Sequence, residues 1–385
     1  MDKNRLDYLD FLKVFMAIFI VTVHVALAYA PGIWWFYKSL PEDDWLLVYY
    51  QIINPIAMAL FFLLSAYFFP ASFDKKGAKK FMKGKLIRVG VPFIAGVFLL
   101  IIPLHFFYHL QFRDCGYTTL YSYTWNMFFG IGGDANACHD RWLDIWPDLK
   151  VAHLWFLQHL LIYASIYTLI RLLVRKKEHK FLGRPSNVKI VAFILVLTTI
   201  TFAMRTKFPL DYWNGFLGAI QMEYANVPKY ALFVILGVLL YRTDWLTTFP
   251  IRRGMVWLGF GFILLLTTLF GYEYIPFFLA SGEFGLNTFL WTLWDCFMTV
   301  SLGIGLIVLF REGSRYLYKG FRQFSQNTYG VYLFHVPIVV FVQYFFRDLS
   351  EPIYVRFLIE CVVSVLISFA FTHFIRKSKT VRKFI

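Results

Sequence analysis

The chain has 385 residues, of which 59% are hydrophobic, 21% aromatic and only 16% charged. That is too little charge to coat a soluble fold of this size, so a soluble globular protein is excluded. The formal net charge of +15 would suit nucleic acid, but most of the 38 Lys and Arg fall in the connecting stretches on one side of the apolar runs. That is the positive-inside pattern of a membrane protein, with no nucleic acid implied.

Apolar runs able to cross a hydrocarbon core of roughly 30 Å lie near 9–30, 48–70, 87–109, 151–174, 188–204, 228–241, 254–271, 286–310, 328–346 and 353–375. The fifth to seventh are the shortest. The expected fold is an all-α polytopic membrane protein of about ten transmembrane helices. Lys and Arg concentrate on the side of the N-terminus and most acids on the other, which puts both termini in the cytoplasm. No repeat or linker interrupts the chain, so 1–385 reads as one transmembrane domain with an outer insertion at 110–150 and no appended soluble domain.

In chain order, Arg5 stands at the inner interface, and the first apolar run is too long for a cleavable leader, so it is expected to remain as helix one. That run carries one cation, Lys13, and one imidazole, His24. Eleven helical residues turn roughly 1,100° and rise about 16 Å, so the two share a face. Their separation matches a pantetheine arm, with coenzyme A phosphates near Lys13 and a thioester beside His24. Trp34, Trp35 and Tyr37 follow in an outer loop, as an interfacial belt or a sugar-stacking surface. Ser65 and Ala66, before Tyr67, are small enough for close helix approach. The basic run Lys75 to Arg88 reads mainly as a topology and headgroup signal. Lys85 and Arg88, at i and i+3, face one way and could grip phosphate; Pro92 then bends the third span.

Further along, Cys115 and Cys138 share the outer loop and would bridge in an oxidising compartment, whereas Cys296 and Cys361 lie in spans as buried thiols. Asp134, His139, Asp140, Asp144 and Asp148 suit contact with a polar ligand, and His153 and Trp155 open the fourth span. No metal spacing is present. Asp295 and Glu360 are carboxyls in hydrocarbon, expected to be paired, protonated or functional, the functional option being a base partner for His24. Ser325, Asn327 and Thr328 suit a helix N-cap whose free N–H groups would take an anion, beside Arg315, Lys319 and Arg322. His335 lies two turns into that span.

Several of these stretches form a series: Arg5, Leu9, Asp10, Leu12, Lys13 and His24; Phe61, Phe62, Ser65, Ala66 and Tyr67; Lys85, Arg88 and Pro92; His153 to Leu157; Ser325, Thr328, Tyr329, Gly330, Tyr332 and His335. In this order and on these membrane sides the chain resembles the membrane acyltransferase 3 family, bacterial proteins that O-acylate envelope glycans. Lys13 stands where Arg is commoner and Ala66 where Gly is usual. The stretches Arg88 to Pro92 and His153 to Leu157 are similar to the branch that decorates periplasmic glucans, succinyl transfer included.

The resemblance implies a multi-pass protein of the bacterial inner membrane that moves an acetyl or succinyl group from cytosolic acyl-CoA to a glycan hydroxyl outside. Acyl-CoA would be a donor substrate, not a resident cofactor, and membrane lipids the surroundings. His24 is then the expected general base. Lys13, Lys85, Arg88 and Arg5 are expected at the donor phosphates, with His153, Trp155, Ser65, Tyr67, Asp295, His335 and Glu360 as further candidates. A two-step route through a covalent acyl group is the second mechanism. The rival class is a proton-coupled transporter or flippase, which buried Asp295, Glu360 and His335 would also suit; it calls for an inverted repeat, and none is visible. A non-catalytic scaffold leaves the register of Lys13 and His24 unexplained.

Overall fold

The computed structural model describes residues 6–113, 118–131, 150–174, 183, 186–217, 219–243, 245–314, 316 and 321–385. Arg5, Cys115, Cys138, Arg315 and Lys319 lie outside the described residues, as do the five Asp and His positions noted at 134–148. Ten helices account for the apolar runs: α1 (Asp7–Ala26), α2 (Asp44–Tyr67), α3 (Phe69–Phe112), α4 (Ala152–Leu173), α5 (Asn187–Arg205), α6 (Val227–Tyr241), α7 (Ile251–Gly271), α8 (Leu286–Gly313), α9 (Phe321–Phe345) and α10 (Ile353–Ile375). Among the described residues nine are long and apolar enough to cross a membrane. The remaining one, α6, has 15 residues, about 22 Å of helix.

In lipid, water-driven burial between helices is absent, so close approach falls to small residues. A Cβ on Gly237 of α6 would clash with the Leu63 carbonyl oxygen of α2. The close contact expected around Ser65 and Ala66 is therefore real, but the residue that permits it is Gly237; Ser65 is half-buried. Helices α7 and α8 use the same device: Gly254 meets Val308 and Gly305 meets Leu258. Helix α1 lies against α2, α8, α9 and α10 and is the centre of the bundle.

The basic run before the third span is helical, not a loop. Phe69, Phe73 and Phe81 turn one apolar face of α3 onto Tyr167 of α4, while Lys75, Lys76, Lys79, Lys80 and Lys83 face outward. Gly77, at φ 74°, takes the kink that a side chain would resist. Beyond Lys85 the helix widens at Leu86–Gly90 and again at Val97–Ile101. Pro92 has no N–H for the Arg88 carbonyl four residues back, and the Tyr329 hydroxyl of α9 donates to that oxygen at 2.7 Å.

Helix α9 begins at Phe321, seven residues before the expected start, so Ser325, Asn327 and Thr328 lie inside the helix and do not cap it. Asn327 Oδ1 instead accepts from Arg376 Nη1 at 2.8 Å and Thr328 is buried, because this turn packs on α10. The anion site expected there does not form. Between α5 and α6 an antiparallel pair, β1 (Trp213–Phe216) and β2 (Ile220–Glu223), aligns Gly215 with Gln221.

Candidate functional site

His24 sits in the last turn of α1, where its Nδ1 is 2.7 Å from the Ile20 carbonyl oxygen. A carbonyl only accepts, so Nδ1 carries the hydrogen and Nε2 keeps its lone pair. Trp35, whose ring lies 5.6 Å from the imidazole, donates to Gln343 Oε1 at 2.8 Å, and Gln343 Nε2 donates to the Val25 carbonyl at 2.9 Å. This arrangement ties the end of α1 to α9.

The structure brings His335 and His153 to the same place. The His335 ring stands edge-on to His24 with centroids 4.7 Å apart, and His153 stands 4.8 Å from His335. His335 Nδ1 is 2.7 Å from the Tyr332 carbonyl oxygen and His153 Nε2 is 3.0 Å from that of Leu333. By the same reasoning each carries its hydrogen on that nitrogen. His335 Nε2 and His153 Nδ1 are buried without a hydrogen-bond partner among the described residues. The Leu333 carbonyl is available because Pro337, four residues on in α9, has no N–H to give it. In return, the Tyr332 hydroxyl donates to the His153 carbonyl.

His24 and His153 open onto a cleft of about 850 Å³, solvent-filled space included, on the side away from the N-terminus. Trp155 lines it too, its ring 5.4 Å from Trp213 and 5.5 Å from Tyr230. Tyr50 and Asn54 of α2, Asp211, and Gln221 of β2 line it as well, and Gln221 Oε1 accepts from the Val151 N–H at 2.8 Å. The sequence reading missed Asp211 and Gln221 because they lie between the fifth and sixth spans, in a segment without a motif. Asn214 and Gly215 lie within β1 and not at its turn, and nothing local says that the hairpin packs on α4.

At the other end of α1, Lys13 Nζ is 3.3 Å from Asp10 Oδ1 and 5.1 Å from the centre of the Phe68 ring. Lys85 Nζ lies 4.2 Å over the Phe69 ring. The two cations thus rest on consecutive rings at the α2–α3 junction, next to Tyr67, which packs on Phe68 at 5.2 Å. Arg88 belongs to the adjoining turn, its carbonyl held by Tyr329.

Asp295 and Glu360 join neither group. Asp295 Oδ2 takes Arg205 Nη2 at 2.7 Å and Lys229 Nζ at 2.6 Å, and its Oδ1 takes the Thr299 hydroxyl at 3.3 Å. Glu360 Oε1 is 3.2 Å from Arg356 Nε. The idea that either carboxyl orients His24 is therefore corrected: both neutralise buried cations, and His24 is oriented by a backbone carbonyl. Among the described residues no group of His, Cys, Asp and Glu is arranged to hold a metal ion.

The family model described as "Acyltransferase domain" matches residues 6–373. Two proteins named Glucans biosynthesis protein C, from Escherichia coli O81 and E. coli K12, are each 24% identical to this chain over 352 residues, 88% of this chain and 83% of theirs. A relative of the same name from Salmonella enteritidis PT4 is 23% identical over 241 residues, so the matched part is 61% of this chain and 58% of that protein's length. With the match spanning all ten helices but the last residues, this multi-pass membrane protein belongs to the acyltransferase 3 family.

Proposed function

We propose that the protein carries an acyl group from cytosolic acyl-CoA to a glycan hydroxyl outside the membrane, with a glucan as acceptor, as the relatives' name suggests. The observation that carries this reading is the tautomer of His24. Its Nε2 lone pair belongs to a residue on the outer cleft, while Lys13 marks the opposite end of the same helix face. The bias of Lys and Arg supports a cytoplasmic Lys13 end, and the reading takes the membrane to be a bacterial inner membrane.

In the proposed reaction the coenzyme A phosphates lie at Lys13, Lys85 and Arg88, and pantetheine follows helix one to His24. A sugar hydroxyl attacks the thioester carbonyl as His24 Nε2 takes its proton; the C–O bond forms, the C–S bond breaks, and the proton passes to the departing thiolate. Removal of the proton as the bond forms is worth typically 10²- to 10⁴-fold. His335 holds the base in place by its ring contact, and His153 backs His335 in turn. Both acetyl and succinyl fit this chemistry.

The test is transfer by the purified protein in lipid nanodiscs, supplied with labelled acetyl-CoA or succinyl-CoA and glucose oligomers, with products read by mass spectrometry. Acyl esters on the oligomer are expected. Their absence with both donors, for a protein that still binds coenzyme A, would overturn the reading.

A further inference from the structure

The outer cleft is lined by groups that accept hydrogen bonds. His24 Nε2 and His153 Nδ1 are lone-pair nitrogens by virtue of the carbonyls that hold their partner nitrogens, and His153 Nδ1 has no partner among the described residues. Asp211 lines the same cleft. Its Oδ2 is fixed by Gln51 Nε2 at 2.7 Å, which sets the plane of the carboxylate. Asp211 takes φ 61°, a left-handed conformation that Asp and Asn tolerate better than other residues with side chains. The cleft also presents aromatic surface, since Trp155 and Trp213 meet at 5.4 Å with their planes 66° apart. Lys150 lines it as a cation, 5.3 Å over the Trp34 ring.

A cavity lined by these acceptors suits a ligand rich in O–H donors, and aromatic rings favour one with flat apolar C–H faces. A sugar ring has both. We propose that Asp211 is the acceptor-binding residue of this cleft, its carboxylate taking hydroxyl hydrogens of a sugar diol whose ring lies on the Trp155 and Trp213 surface. This deepens the acyl-transfer reading and rests on it for what happens next to the sugar. Binding itself is independent of the chemistry. With the diol held by Asp211, a neighbouring hydroxyl is presented to His24 in the same cleft, so Asp211 selects which hydroxyl reacts.

The experiment separates the two. Binding of glucose oligomers to the full chain in nanodiscs is followed by tryptophan fluorescence, without donor, and turnover is measured separately. Asp211→Asn keeps a residue that accepts the left-handed backbone, and its thermal transition and coenzyme A affinity are expected to match wild type. Its oligomer Kd should rise about 10- to 100-fold, the loss typical of one hydrogen bond to a charged group, and Trp213→Ala should weaken binding as well. Oligomer affinity equal to wild type in Asp211→Asn, or no oligomer binding by wild type, overturns the proposal. Binding that depends on Asp211 without acyl transfer leaves the subsite standing and removes the transferase reading instead.

Discussion

Pro337 and His153 are linked through one oxygen: the proline leaves the Leu333 carbonyl without its helical N–H, and His153 Nε2 occupies it at 3.0 Å. The same logic joins Pro92 to Tyr329 through the Arg88 carbonyl. In each case a helix-breaking residue on one span creates the acceptor that another span uses. Pro337→Ala returns an N–H to that carbonyl in competition with His153. Turnover should fall about tenfold, the effect of roughly 1.4 kcal/mol, while thermal stability holds or rises because the helix ladder is completed. Unchanged kcat would show that this carbonyl does not position His153.

Removing the base is more severe. His24→Ala is expected to lower acyl transfer by at least about 10²-fold with the protein still folded and inserted, since one half-buried imidazole is lost from a ten-helix bundle. Activity above about a tenth of wild type, measured per folded molecule, would sink the assignment.

The donor site is tested by Lys13→Gln, Lys85→Gln and Arg88→Gln. Each removes a charge-assisted hydrogen bond to phosphate, about 1.5–3 kcal/mol, and so weakens coenzyme A binding roughly 10- to 100-fold by isothermal titration. Acceptor affinity should hardly change, because the cleft is at the other end of α1. If all three variants bind coenzyme A as wild type does, the cations serve only as a topology signal.

The Asp295 cluster should matter for stability and not for chemistry. Asp295→Asn leaves Arg205 and Lys229 buried without their shared counter-charge, a loss of about 3–5 kcal/mol for a broken buried pair. Unfolding in detergent should shift accordingly while turnover per folded molecule is kept. A variant as stable as wild type would mean that water reaches the two cations.

Acceptor binding should depend on pH through Asp211. Burial pushes its carboxyl up to about 6, against hydrogen bonds from Gln51 and Tyr50. Glu223 on β2 is raised too, by burial first and the Asp211 charge second. Tyr50 and Asn54 of α2, Lys150 before α4, His153 of α4 and His24 of α1 line the same cleft as Asp211. Above pH about 6 the carboxylate is ionised and accepts on both oxygens; below it, one oxygen carries a proton. Acceptor KM should therefore rise as pH falls through about 6, and Asp211→Asn should flatten that dependence. A KM that keeps the same pH profile in the variant would assign the titration to another group.

Much of the site was legible locally. The Lys13 to His24 spacing is a property of one helix, and His153, Trp155 and His335 stood out as polar or aromatic groups in motif-bearing stretches. Asp295 was legible as a costly carboxyl but not by its partners, since Arg205 and Lys229 come from two other helices. Asp211 gave no signal, being one acid in a polar segment between spans.

What the sequence by itself determined is the number of helices and the expected sidedness of the chain. Both follow from hydropathy and charge, which act residue by residue against a slab of about 30 Å. Only the tertiary structure decided which nitrogen of each histidine carries hydrogen and which acid faces the cleft. Those outcomes depend on carbonyls and side chains supplied by other helices: Leu333 reaches His153 only because α9 packs beside α4, and Gln51 reaches Asp211 only because the loop before the hairpin folds onto α2. Hydropathy has no means of encoding such contacts, because they are set by how helices with similar apolar surfaces choose one another.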